Sequence, residues 1–157
     1  MNFDLDRIRE RLSSLDAVPL LALLGILAGL ISGLIIIVFR VFIELILNLL
    51  LPEHSENFEG LSPVIREALP LTGAALLGVG FHYLAKDDRR MGAGYVIERF
   101  NLFQGAISLR SLLVQFFGAA ATLISGLSMG REGPAVHLGA AGSSLLGQWA
   151  RLPNNSL

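Results

Sequence analysis

The chain has 157 residues, of which 53% are hydrophobic and 16% are charged, and its formal net charge is -1. Soluble domains carry charge on about a quarter of their residues, so this composition favours a membrane protein. The near-zero net charge argues against a nucleic-acid partner. The chain has no cysteine, which excludes disulfides and thiolate chemistry.

The first predicted element is a short amphipathic helix over residues 4–15, within a cytoplasmic segment at residues 1–16. Its apolar residues recur at spacings of three and four, between charged ones; they are Leu5, Ile8, Leu12 and Leu15. Such a helix either lies on the membrane surface or forms a soluble cap on a helical bundle, and the pattern leaves both interpretations open.

The first predicted membrane span begins with residues 18–39, which carry no charge. About 20 apolar residues cross a hydrocarbon core of about 30 Å. The apolar run continues past Arg40 and Glu44 to residue 51, which predicts an overlong, tilted helix. Arg40 and Glu44 share a helix face and can pair, and a structural pair is favoured over a role in an ion path. A stripe of small residues predicts close packing by another helix; it consists of Gly25, Gly29 and Gly33.

The next segment, residues 52–67, is acidic and contains glycine and proline, which predicts a loop outside the membrane. Residues 68–85 are uncharged and predict a second span. Basic residues gather before the first span and at residues 86–90, whereas the acidic loop holds only Arg66. Because cytoplasmic loops are enriched in basic residues, we expect the N-terminus and residues 86–90 to lie in the cytoplasm.

The sequence G-A-G-Y-V at residues 92–96 predicts a glycine-rich break before a short helix. Glycines let the backbone approach an anion, and a helix N-terminus supplies N–H groups and the positive end of a dipole. Residues 96–101 are too few to cross a membrane, so they predict a half-helix or an interfacial turn. Residues 103–108 then form a linker to a third uncharged run at residues 111–129.

A second break is predicted at residues 130–134, G-R-E-G-P, between two long apolar runs. A charge pair at membrane depth is costly and marks a functional site. Glycine and proline interrupt the helix there, and lipid cannot satisfy the N–H groups that this exposes. Transporters with broken helices direct such groups at an ion. The fourth uncharged run, residues 134–150, begins with Pro134 as its first helical residue and carries a second small-residue stripe; this stripe consists of Ala135, Gly139, Ser143 and Gly147.

The two breaks together predict a site for a dehydrated anion, because both direct helix N-termini at one region of the bundle. Glu132 places a negative charge at that site. An ionised Glu132 can occupy the positive pocket itself, and a protonated one can swing away and admit an anion. Burial favours the neutral carboxyl and the helix dipole favours the charged one, so anion passage would be coupled to protons.

An enzyme is not indicated. His54, His82 and His137 have neither a matching aspartate–serine arrangement nor the spacing of metal ligands, so no metal, cofactor or catalytic residue is predicted. His137 lies one turn after Gly133, and a packing role is favoured over exposure to a pore.

The G-R-E-G-P sequence at residues 130–134, the G-A-G sequence at residues 92–94 and the order of the predicted elements resemble the CLC family of voltage-gated chloride channels and anion/proton antiporters. The resemblance implies an all-α, polytopic membrane protein with broken helices, in which residues 17–157 hold the first inverted repeat. It implies transport of chloride or a similar small anion, as a channel or as a proton-coupled antiporter. It also implies a multi-pass protein of the cell (inner) membrane and a homodimer with one pore in each subunit.

The resemblance further implies roles for individual residues. Glu132 is the gating glutamate, which exchanges with an anion at an outer site. The backbone at two segments lines the anion sites; the outer-site residues are Gly130, Arg131, Glu132, Gly133 and Pro134, and the central-site residues are Gly92, Ala93, Gly94, Tyr95 and Val96.

The chain departs from the family pattern at the first break, where relatives have G-S-G-I-P. Ala93 stands in place of the serine whose hydroxyl helps to hold the central anion, and Tyr95 and Val96 replace isoleucine and proline. Chloride preference is therefore open, and the backbone must carry more of the binding. Gln115 stands where many relatives have a lysine, so the local positive potential is expected to be weaker.

The family's transport unit has two inverted repeats, and 157 residues hold less than the first. We therefore expect the chain to be the N-terminal part of a longer protein, with the second repeat and the dimer contacts elsewhere. Two other interpretations stay open: an unrelated anion carrier with a similar broken-helix site, and an inactive fragment or membrane scaffold in which Arg131 and Glu132 only cap a helix.

Overall fold

The structure is a computed structural model that describes residues 17–51, 58–84 and 89–150. All regular structure within these ranges is helical, which confirms the predicted all-α fold. The helices are α1 (Ala17–Leu50), α2 (Pro63–Tyr83), α3 (Gly92–Leu102), α4 (Leu109–Ile124) and α5 (Glu132–Trp149), with a 3-10 turn at Phe58–Gly60. The amphipathic helix predicted over residues 4–15 lies outside the described residues.

Helix α1 has 34 residues and is therefore about 51 Å long, which confirms the prediction of an overlong apolar helix. Large apolar side chains point outward along it: Ile26, Leu30 and Leu34 are each more than 60% exposed. Water does not favour such a surface, whereas lipid does. By length and composition, two segments are able to cross a membrane, Leu21–Leu50 and Pro63–Tyr83, and Leu109–Ile124 is apolar but shorter.

Helix α2 begins at Pro63, five residues earlier than the predicted start of the second span at residue 68. The prediction of a loop through residue 67 was therefore wrong for its last five residues. Proline suits the first turn of a helix because its missing N–H would have no intrahelical partner there. At the other end of α2, the Arg89 side chain donates to the carbonyl oxygens of His82 at 2.7 Å and Leu84 at 2.9 Å.

Helix α5 is the centre of the bundle and packs antiparallel to α1. The Ser32 hydroxyl donates to the Gly139 carbonyl oxygen at 2.8 Å and lies 2.9 Å from the Ser143 hydroxyl. A Cβ atom on Gly142 would lie 2.7 Å from Ile35 Cδ1. The small-residue stripe of α5 is therefore a close-packing surface, as predicted. The stripe on α1 has no such contact within the described part of the chain, where a Cβ atom at Gly25, Gly29 or Gly33 would meet nothing within 4 Å; its packing against a further helix stays a prediction.

The linker between α3 and α4 is tied to α5 by hydrogen bonds from two polar side chains. The Ser144 hydroxyl donates to the Gly105 carbonyl oxygen at 2.6 Å and accepts from the Ile107 N–H at 3.0 Å. The Gln148 side chain donates to the Ile107 carbonyl oxygen at 2.9 Å. Buried backbone groups need such partners, so these contacts allow the linker to turn back against α5.

The contact between α2 and the end of α4 depends on Gly73, which is buried against Ser125. A Cβ atom on Gly73 would overlap the Cβ and hydroxyl of Ser125. We expect Gly73→Ala to lower the free energy of unfolding by about 1–3 kcal/mol, as overpacking does. Gly78→Ala on the same helix is the control, because a Cβ atom there meets nothing within 4 Å. Thermal unfolding in detergent that gives equal melting temperatures for the two variants would contradict this packing.

Candidate functional site

The first glycine-rich break forms the start of α3. The helix begins at Gly92 with Met91 as its N-cap residue, so the glycines lie in its first turn and not in a preceding loop. The short helix predicted at residues 96–101 therefore begins earlier than predicted, at Gly92. Gly92 has φ +81°, a conformation that only glycine adopts without strain, and this residue turns the chain into the helix.

The five residues of this first break differ in exposure. Ala93 and Gly94, in the first turn of α3, are exposed. Tyr95 is buried, and its ring stacks on the His137 ring with centroids 5.2 Å apart and planes 8° apart. Val96 is half-buried and lines a cavity of about 350 Å³ between α1, α3 and α5.

The N–H of Gly92 has two side-chain acceptors, which the sequence analysis did not anticipate. Gln115 Oε1 of α4 lies 2.9 Å from Gly92 N, and His137 Nδ1 of α5 lies 3.1 Å from it. Ser111 completes the group, with its hydroxyl 3.0 Å from His137 Nε2. Ser111, Gln115 and His137 are all buried. The sequence does show these polar residues within apolar helices, and polar groups that are buried there need hydrogen-bond partners. That pattern was the available signal that they contact one another or the backbone.

The second break is the segment between α4 and α5. Helix α4 ends at Ile124, and α5 begins at Glu132 with Arg131 as its N-cap residue. The uncharged run predicted at residues 111–129 is thus helical for only part of its length. Pro134 is the third residue of α5, so its prediction as the first was wrong. Proline is still tolerated there, because the first-turn N–H groups have no intrahelical partners.

Glu132 lies in the first turn of α5, where the positive end of the helix dipole favours its carboxylate. Its side chain is exposed, and within the described part of the chain it has no hydrogen-bond or ion-pair partner. Arg131 lines a cavity of about 180 Å³ together with Arg40 of α1. The predicted pair of Arg40 and Glu44 is confirmed, with Nε to Oε1 at 2.9 Å.

The two helix starts lie at successive levels along α5. Gly92 contacts His137, which is the fifth residue after Glu132 in α5. At 1.5 Å per residue, the start of α3 lies about 7.5 Å along α5 from the start of α5. Further along, Val96 and Phe100 line the same cavity as Ser143 and Gly147, so α3 and α5 run parallel. Their positive dipole ends therefore point the same way.

Two arginines hold the segment that leads into α3. Arg89 caps α2, as described above, and Arg90 forms an ion pair with Glu98 of α3. The described residues contain no group of three or more histidine, aspartate or glutamate side chains with the geometry of a metal site.

Comparison with known proteins identifies similar sequences. Residues 73–156 match the family model described as voltage gated chloride channel. A putative chloride channel protein, ClcB-like, of Ralstonia nicotianae is 37% identical over 86 residues, which are 55% of this chain and 20% of that protein. The chloride channel protein CLC-d of Arabidopsis thaliana is 46% identical over 44 residues, 28% of this chain and 6% of that protein. The chain thus matches about a fifth or less of the length of these relatives, and no solved structure matches it.

Proposed function

We propose that this chain, which belongs to the voltage-gated chloride channel family, supplies part of a pathway for chloride or a similar small anion. Members of this family are integral membrane channels or transporters and not enzymes. The observation that carries the proposal is the parallel arrangement of α3 and α5. Their N-termini lie at successive levels along α5, and the first-turn backbone at each level can bind one anion.

The inner of the two proposed anion sites is the start of α3, at residues 92–96. The first turn of a helix has N–H groups without intrahelical partners, and those of the exposed residues Ala93 and Gly94 are open to a ligand. The positive dipole end of α3 adds to the attraction. The side chain of Ala93 has no hydrogen-bond donor, so the backbone supplies the contacts at this level.

The outer proposed site is the start of α5, at residues 130–134, where Glu132 competes with the anion. The carboxylate lies at the positive end of the helix dipole, the same feature that attracts an anion. When Glu132 is ionised it takes the anion's place, and when it is protonated it leaves and an anion enters. Its side chain is exposed and has no partner among the described residues, so no contact holds it away from either position. Transport would then be coupled to protons.

The proposed topology extends the two candidate spans to a multi-pass protein. The N-terminus lies in the cytoplasm, and residues 17–157 form the N-terminal part of a transport domain. A second repeat in a longer protein completes the pathway and supplies the contacts of a homodimer. Support comes from the exposed apolar surface of α1 and from the length of the relatives, of which this chain matches 20% or less.

The test is paired anion and proton flux from liposomes that contain the full-length protein. We expect chloride to leave the vesicles under its own gradient, with protons moving in the opposite direction. Chloride flux without proton movement would retain the anion pathway and contradict the coupling. Vesicles that release neither chloride nor nitrate faster than protein-free vesicles would contradict the proposed function and favour a membrane scaffold.

A further inference from the structure

A cluster of buried polar side chains, Ser111, Gln115 and His137, lies beneath the first residue of α3. Gly92 N–H donates to both Gln115 Oε1 and His137 Nδ1, at 2.9 and 3.1 Å. These acceptors come from two different helices, 23 and 45 residues further along the chain. The start of α3 is therefore fixed to α4 and α5 at the same atom.

The hydrogen bonds determine the protonation state of the His137 ring. A backbone N–H only donates, so Nδ1 must accept and carries no proton. The ring proton then lies on Nε2, which donates to the Ser111 hydroxyl at 3.0 Å. His137 is 0% exposed, and both of its nitrogens have partners. The orientation that presents Nδ1 to Gly92 is thus held by Ser111 from the opposite side of the ring.

Tyr95 provides a second contact between the first turn of α3 and His137. Its ring stacks on the His137 ring, and its hydroxyl accepts a hydrogen bond from Arg99 Nε at 2.8 Å. The Arg99 guanidinium carbon also lies 5.1 Å from the centre of the Tyr95 ring, within the range of a cation–π contact. Gly92 and Tyr95 are one turn apart, and both contact His137.

We propose that Gln115 and His137 are positioning residues of the anion site at the start of α3, an inference that rests on the proposed function. By accepting the Gly92 N–H, they prevent a partly buried donor from being left without a partner. They also fix Gly92 in the left-handed conformation from which the next two residues enter the helix. The N–H groups of Ala93 and Gly94 are thereby aimed at the anion, and that of Gly92 is not.

The test compares variants of the full-length protein in which one acceptor is removed. Gln115→Met and His137→Leu keep the volume of the side chain and lose the hydrogen bond to Gly92. Gln148→Met is the matched control, because Gln148 also donates two partly buried hydrogen bonds, to Ile107 and Ser144, but does not contact Gly92. His137→Asn is the conservative variant, since its side-chain oxygen takes the place of Nδ1.

Two quantities are measured for each variant: the chloride concentration that gives half-maximal flux, and the rate of amide hydrogen exchange over residues 91–95. Loss of a helix cap weakens the helix start by an amount that corresponds to about a tenfold change in an equilibrium constant. We expect the half-maximal concentration to rise by about that factor in Gln115→Met and His137→Leu, with faster exchange and near-normal maximal flux. His137→Asn should recover both quantities, and Gln148→Met should change neither.

Unchanged chloride dependence in both acceptor variants, or an equal change in Gln148→Met, would overturn the positioning role. The failure of the proposed function has a different signature, because wild-type protein would then show no anion flux at all, and the role in anion binding would be overturned with it. Hydrogen exchange still reports on the Gly92 contacts in that case. If the leucine variant does not fold, His137→Asn and Gln115→Met give the same comparison, and normal exchange in both overturns the proposal.

Discussion

Glu132→Gln in the full-length protein is expected to abolish proton movement while anion flux persists or increases. Glutamine has nearly the shape of a protonated glutamic acid, and it can neither bind nor release a proton in this pH range. At the start of α5 it cannot compete with an anion by charge. The measurement is the ratio of proton flux to chloride flux from liposomes, with proton flux expected to fall to the level of protein-free vesicles.

The control for this substitution is Glu44→Gln. Glu44 lies on α1 and pairs with Arg40. Loss of an exposed pair of this kind changes stability by less than about 1 kcal/mol, so we expect coupling to survive. Retained proton coupling in Glu132→Gln, or equal loss in Glu44→Gln, would contradict the gating role of Glu132.

Ala93→Ser is expected to raise the selectivity for chloride over nitrate. Ala93 lies in the exposed first turn of α3, and a serine hydroxyl there adds one donor to the two exposed backbone N–H groups. A hydrogen bond to a charged group contributes about 1.5–3 kcal/mol, which corresponds to a factor of about 10 or more in affinity. Nitrate distributes its charge over three oxygens and gains less from a single donor directed at one point.

The selectivity change is measured as the ratio of chloride to nitrate flux under equal gradients. Ala75→Ser is the control, because Ala75 is exposed on α2, away from both helix starts. An unchanged ratio in Ala93→Ser would mean that side-chain chemistry at this position does not choose the anion. An equal rise in Ala75→Ser would mean that the ratio reports a general property of the bundle.

Local pattern was sufficient to predict the helical class, the overlong α1 and a new helix start at each glycine-rich segment. Charge-free runs, glycine pairs and proline act over a few residues, so the sequence displays them directly. Helix boundaries were less predictable, because the start of a helix is decided by one residue's conformation. Gly92 at φ +81° and Pro63 in the first turn of α2 moved two starts toward the N-terminus.

Tertiary contacts were not predictable in the same way. The stripe of glycines on α1 has the spacing of a packing surface, yet the contact with α5 uses the neighbouring face, through Ser32 and Ile35. The spacing of small residues identifies a helix face that permits close packing, but it does not identify the helix that packs there. The acceptors of the Gly92 N–H, Gln115 and His137, are distant in sequence, so only the folded chain brings them together.

Bromide located by its anomalous scattering in crystals of the full-length protein would test the two proposed anion sites most directly. We expect one peak within hydrogen-bonding distance of the backbone nitrogens of Ala93 and Gly94. In Glu132→Gln we expect a second peak at residues 130–134, where the wild-type carboxylate would otherwise lie. Crystals that contain bromide elsewhere in the protein but at neither helix start would contradict the assignment of these two breaks as the anion pathway.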